Sequence, residues 1–209
     1  MNRPPEPFRG GNLYDKYNSV NPVVRRLMRG FLAAFDELAA QSGARTVIEA
    51  GCGEGELSLR LAARGCAVRG FDPGAAVIEQ ARTEARRRGV DVPFTVGSLG
   101  EYRLAPGEPR PELVVCCEVL EHLADPANGL AALCELTGRY LLVSVPREPL
   151  WRILNCARGA YWAALGNTPG HLQHWSSRAF VNFLATRVRV IAVRRPLPWT
   201  MALCERPGC

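Results

Sequence analysis

Val47-Ile48-Glu49-Ala50-Gly51-Cys52-Gly53-Glu54-Gly55 decides how the rest of this chain is read. A β-branched run, Thr46 to Ile48, leads to an acid and then to glycines at alternate positions, Gly51, Gly53 and Gly55. Residues 56–63 behind them read as a helix. Strand, tight glycine loop and helix in that order let the backbone approach a flat or charged cofactor, since glycine tolerates positive φ and carries no Cβ. Glu49 sits where the strand ends. About twenty residues further on, a second run, Ala67 to Phe71, ends at Asp72, where a carboxylate is suited to accept hydrogen bonds from a ribose.

The spacing argues against a dinucleotide. A nicotinamide fingerprint, Gly-x-Gly-x-x-Gly, seats a pyrophosphate on a helix N-terminus. Here the third glycine comes one residue early, and Glu49 would repel a pyrophosphate but suits an ammonium. Residues 47–55 resemble, at every position, the first motif of class I S-adenosylmethionine-dependent methyltransferases: apolar-apolar-acid-apolar-Gly-x-Gly-x-Gly. The resemblance implies S-adenosylmethionine as cofactor. Glu49, Ala50, Gly51, Cys52, Gly53 and Gly55 would wrap its methionine portion, and Asp72, followed by Pro73, would hold the ribose hydroxyls. Ser98 and Leu99, after the third strand, would flank the adenine. The family often has Asp where Ser98 stands, so backbone contacts would take over there. Cys117 and Glu118, after the fourth strand, would approach the methionine end. Tyr14 and Tyr17 are candidates for a lid over the cofactor, with packing against the sheet as the plain alternative.

The chain reads as one methyltransferase domain over residues 1–209: N-terminal lid and helix (1–43), cofactor-binding core (44–146), acceptor-side insert (147–175), and C-terminal helix and hairpin (176–209). A length of 209 residues with 47% hydrophobic content is enough for one full core. Asn21-Pro22 starts a helix that runs to Gly43. Strands are expected at 45–50, 67–71, 93–96, 113–117 and 140–145, with helices between them. This alternation predicts an α/β fold: a Rossmann-like, seven-stranded, mostly parallel sheet with helices on both faces. The last two strands, 187–193 and 199–204, form the closing antiparallel hairpin that the resemblance implies. Within the insert, Leu150, Leu154, Ala157, Tyr161 and Leu165 fall on one helical face.

Net charge is +6, which favours anionic partners, but the arginines look scattered and read as solvated surface. Arg86-Arg87-Arg88 closes a predicted helix and complements its dipole. No apolar run reaches the length of a membrane span and the N-terminus has no signal-peptide pattern, so a cytoplasmic location is expected. None of the eight cysteines forms a C-x-x-C pair, which argues against a zinc site or redox dithiol.

Cys117-Glu118-Val119-Leu120-Glu121-His122-Leu123 resembles a segment of methyltransferases of the quinone-biosynthesis type. The chain holds three histidines, His122, His171 and His174, and these are the catalytic candidates. Three readings stay open. His122 or His174 removes a proton from an acceptor hydroxyl. Alternatively, Glu118-x-x-Glu121-His122 with a later histidine resembles the ligand pattern of metal-dependent small-RNA 2′-O-methyltransferases. In the third reading His122 orients its loop. The orienting role is put first, and no residue is assigned to a metal.

The aromatic, apolar insert points to a small apolar or amphipathic acceptor. A basic amphipathic helix there also suits contact with a membrane surface, and ordinary core or a dimer contact is the plain alternative. The expected function is methyl transfer from S-adenosylmethionine to a small, largely apolar acceptor, with oxygen favoured because histidines can serve as bases. The alternatives are a metal-assisted nucleic-acid 2′-O-methyltransferase, against which the lack of basic-aromatic RNA-binding surface argues, and a non-catalytic cofactor-binding partner protein.

Overall fold

The computed structural model of the protein describes Tyr17 and residues 19–208; Tyr14 lies outside them. Helix α1 (Pro22–Ser42) begins as its sequence dictates. Asn21 Oδ1 accepts from Val23 N at 2.9 Å, and Pro22 occupies the first turn, where no N–H is needed.

The sheet consists of β1 (Thr46–Ala50), β2 (Ala67–Asp72), β3 (Phe94–Val96), β4 (Leu113–Cys117), β5 (Tyr140–Pro146), β6 (Arg189–Arg194) and β7 (Trp199–Glu205). Its order is β3-β2-β1-β4-β5-β7-β6. The first five strands pair in parallel, and β7 runs antiparallel between β5 and β6. The expected seven-stranded α/β sheet with an antiparallel close is therefore present, with boundaries shifted by one or two residues.

Each central strand buries both faces, which explains its unbroken apolar run. Val47, Val115 and Leu142 join one core with Phe31, Phe35 and Leu38 of α1, Leu57 of α2 (Glu56–Ala62) and Ile78 of α3 (Ala75–Arg88). Their neighbours Ile48, Val114 and Val143 join the other. That core adds Leu130 and Leu133 of α4 (Pro126–Leu136) and Phe180 and Leu184 of a helix over Ser177–Leu184. Strand order reverses between β1 and β4, and a crevice opens beyond the carboxyl ends at such a switch point.

The insert departs from the expected helix over 150–165. Helix α5 (Leu150–Ala157) ends at once, and a short 3₁₀ turn follows at Trp162–Ala164. The helix Ser177–Leu184 is thus α6 in chain order. Periodicity misled here because Tyr161 and Leu165 adopt left-handed backbone, φ 59° and 49°, instead of continuing α5. The chain folds back so tightly that a Cβ on Gly166 (φ 77°) would stand 2.2 Å from Arg152 O. Among the described residues no helix is long and apolar enough to cross a membrane.

Candidate active site

The glycine loop is tied to the tip of β2. Gly51 N and Cys52 N both donate to Phe71 O, at 2.8 and 3.0 Å. Gly53 N donates to Asp72 Oδ2 at 3.0 Å, and Gly74 N donates to Asp72 Oδ1 at 2.8 Å. Burial raises the Asp72 carboxyl above the ordinary carboxylate range, and these two N–H groups partly oppose the shift. A Cβ on Gly51 (φ 74°) would meet Val119 Cγ2 at 2.3 Å, so no other residue fits without displacing that side chain.

β1 delivers Glu49 to its carboxyl end, where Oε2 accepts from Ser58 Oγ at 2.5 Å. Burial pushes this carboxyl up to about 8, opposed by the Ser58 hydrogen bonds and reinforced by the charges of Asp72 and Glu56. Glu118, just past β4, has φ 60° and is fixed from two strands. Its Oε1 accepts from Ser144 Oγ at 3.0 Å and its Oε2 from Trp199 Nε1 at 2.7 Å. A non-glycine residue persists at such a φ where its surroundings over-determine it.

One cavity opens above these groups. Glu49, Gly51, Cys52, Gly53, Asp72, Pro73, Ser98, Leu99, Cys117, Glu118 and Tyr17 all line it. Ser98 Oγ donates to Glu101 Oε2 at 2.7 Å. The Tyr17 ring packs against the core, and burial, with Glu49, Cys117 and Glu118 nearby, raises its hydroxyl well above the ordinary value. Two of the expected residues do not face the cavity. Ala50 is buried in the core on the α4 side, and Gly55 ties the loop through its N–H to Cys52 O at 2.9 Å.

The far wall comes from a 3₁₀ turn, Leu120–His122, and from the insert. The insert is laced onto that turn. Leu172 N and Gln173 N donate to Glu121 O at 2.8 and 2.9 Å, and Gln173 Nε2 donates to Leu123 O at 3.0 Å. His122 Nδ1 stands 2.9 Å from Gly170 O. A carbonyl only accepts, so Nδ1 carries the proton in this contact. The His171 ring lies 4.9 Å from His122, edge-on, and 5.8 Å from the Trp151 ring.

One ligand atom from each of Glu121, His122 and His171 falls within 4.8 Å of the others. A carboxylate and two imidazoles are a donor set that can hold a divalent cation. The grouping differs from the pattern that began at Glu118, because Glu118 is held by Ser144 and Trp199 instead. His174 lies apart: it is exposed, its Nε2 meets Asn167 Oδ1 at 2.8 Å, and it does not line the cavity. Thr168 and Trp199 also line the cavity and had no sequence signal of their own.

Residues 22–187 match the family model described as a methyltransferase domain, and the chain belongs to that family. Its matched family and its fold are those of class I S-adenosylmethionine-dependent methyltransferases. It is 41% identical over 97 residues to a ubiquinone biosynthesis O-methyltransferase of Hahella chejuensis, covering 46% of this chain and 40% of the relative. It is 37% identical over 120 residues to the protein of that name from Pseudomonas paraeruginosa, covering 54% and 50%. The chain thus spans half or less of the length of these relatives. Among solved structures, magnesium protoporphyrin IX methyltransferase of Synechocystis with bound SAH shares the fold, with TM-score 0.69 and 20% identity over 90% of this chain and 89% of that one. The N-methyltransferase NodS of Bradyrhizobium japonicum does so at TM-score 0.66 and 17% identity, covering 87% and 97%.

Proposed function

We propose that the chain transfers the methyl group of S-adenosylmethionine to a hydroxyl oxygen of a small, largely apolar or amphipathic acceptor. The observation that carries this reading is a single cavity. It brings the glycine loop, Glu49 and Asp72 together with an imidazole whose Nδ1 is committed to a carbonyl. In this reading Glu49 faces the ammonium of the methionine moiety, Asp72 accepts from the ribose, and Glu118 bounds the methionine end. The sulfonium already activates the methyl carbon, so the protein aligns the acceptor, excludes water and receives a proton. The acceptor oxygen bonds the methyl carbon as the C–S bond breaks, and the hydroxyl proton passes to His122 Nε2. The names of the O-methyltransferase relatives support an oxygen acceptor. A methyl-labelled donor with a panel of alkylphenols tests the reading: labelled ethers and S-adenosylhomocysteine are expected, and their absence with every acceptor would reject it.

The Glu121, His122 and His171 cluster favours a second form of the same reading, in which these three side chains would hold a divalent cation that would supply Lewis-acid activation of the acceptor hydroxyl. Activity lost to a chelator and restored by added metal would replace the imidazole base with this form. The insert supports contact with an anionic membrane surface. Ile153, Trp162, Leu165 and Leu172 are exposed, and the insert carries Arg147, Arg152 and Arg158 against one acid, Glu148.

A further inference from the structure

Thr168 is buried in the wall of the cavity beside Trp151 and His171. Its Oγ1 accepts from Trp151 Nε1 at 2.9 Å and from Asn155 Nδ2 at 3.1 Å. The indole N–H can only donate. The Asn155 amide is oriented by two other partners: Oδ1 accepts from Arg158 Nε at 3.0 Å, and Nδ2 donates to Gly166 O at 2.8 Å. A guanidinium has no acceptor and a carbonyl has no proton, so the amide cannot be flipped. Both lone pairs of the Thr168 oxygen are therefore taken by protein donors, and its own O–H is left to donate.

Other buried hydroxyls in the fold place that proton on an oxygen: Thr137 on Leu133 O at 2.7 Å, Ser42 on Ala39 O at 2.6 Å, Ser58 on Glu49 Oε2 at 2.5 Å and Ser144 on Glu118 Oε1 at 3.0 Å. Thr168 meets no such acceptor among the described residues. A buried hydroxyl proton without an acceptor is costly, unless a ligand supplies the missing oxygen.

We infer that the Thr168 hydroxyl is a committed hydrogen-bond donor to an oxygen of the methyl acceptor, so that this wall selects ring-bearing acceptors that present an accepting oxygen beside Trp151. This rests on the reading of the cavity's insert side as the acceptor's place. Removing the O–H while keeping the shape should erase a preference for oxygen and leave cofactor binding untouched. A site built around a hydrogen bond discriminates against the analogue that lacks its partner.

The probes are the three hydroxyacetophenones against the three ethylphenols, with binding measured to protein loaded with S-adenosylhomocysteine in the presence of EDTA. A ketone oxygen accepts and cannot donate, and the ethyl group fills nearly the same volume. At least one ring isomer should bind roughly tenfold more tightly as the ketone. Thr168→Val should bring that ratio to within twofold of unity, and Thr168→Ser should restore it. The ratio does not depend on the fraction of protein that folds, so partial unfolding of a variant cannot imitate the result. A wild-type ratio near unity for all isomers, no binding of any probe, or a ratio unchanged by Thr168→Val would overturn the assignment. So would weaker S-adenosylhomocysteine binding in Thr168→Val, which would move the hydroxyl to the cofactor. Failure of the wild-type protein to bind S-adenosylhomocysteine at all would instead reject the cofactor reading.

Discussion

At the β1–β2 end of the cavity the polar groups are set by short stretches of backbone: N–H groups of Gly53 and Gly74 on Asp72, and of Gly51 and Cys52 on Phe71 O. At the insert end they are set by side chains that reach across the sequence: His122 to Gly170, Gln173 to Leu123, Trp151 to Thr168. The first construction needs two strand tips and a tight turn, and it tolerates almost no added volume. The second depends on the path of a long connection, and its groups remain adjustable in identity. A fold that keeps its cofactor and varies its acceptor would divide the labour in this way.

The largest expected effect is at Gly51. Valine there adds left-handed strain of about 1–2 kcal/mol to a collision with Val119. Calorimetry should find S-adenosylhomocysteine binding abolished, and near-normal affinity would break the contrast outright. Next, His122→Ala should lower kcat by about 10²–10⁴-fold while the S-adenosylhomocysteine Kd stays within about twofold. His174→Ala, away from the cavity, should leave kcat within about threefold. Equal losses in both variants would mean that the insert end has been misread.

A smaller effect is expected at Glu49. Its carboxyl, raised to about 8, must lose a proton to meet an ammonium. Cofactor affinity should therefore rise with pH below about 8, by at most about tenfold per unit, and level off above it. Glu49→Gln should bind more weakly and show no such slope; a wild-type profile flat from pH 6 to 8 would remove the ammonium contact. The smallest effect belongs to the insert's outer face. Leu165→Asp should reduce co-sedimentation with anionic phosphatidylglycerol vesicles several-fold without changing S-adenosylhomocysteine affinity. Equal retention by neutral phosphatidylcholine vesicles would argue against the arginines as the attracting charge.

The sequence by itself determined the α/β order of elements, the glycine loop after β1 and the carboxylate at the end of β2. Each of these follows from local rules: apolar runs that make buried strands, alternate glycines that allow positive φ, and an acid one residue past an apolar run. Even there, Ala50 and Gly55 turned out to shape the loop from behind, because a strand alternates its faces and a loop shows only some of its residues. Tertiary structure alone decided that His171 and not His174 meets His122, that Glu118 is held by Ser144 and Trp199 while Glu121 joins the histidines, and that Thr168 reaches the wall. Residues 150–165 keep a helical apolar rhythm, yet the return at Gly166 and the hydrogen bonds onto Glu121 O end the helix early. Periodicity records which side chains prefer burial. Which of them come face to face depends on backbone groups dozens of residues apart finding partners, and no local pattern encodes that pairing.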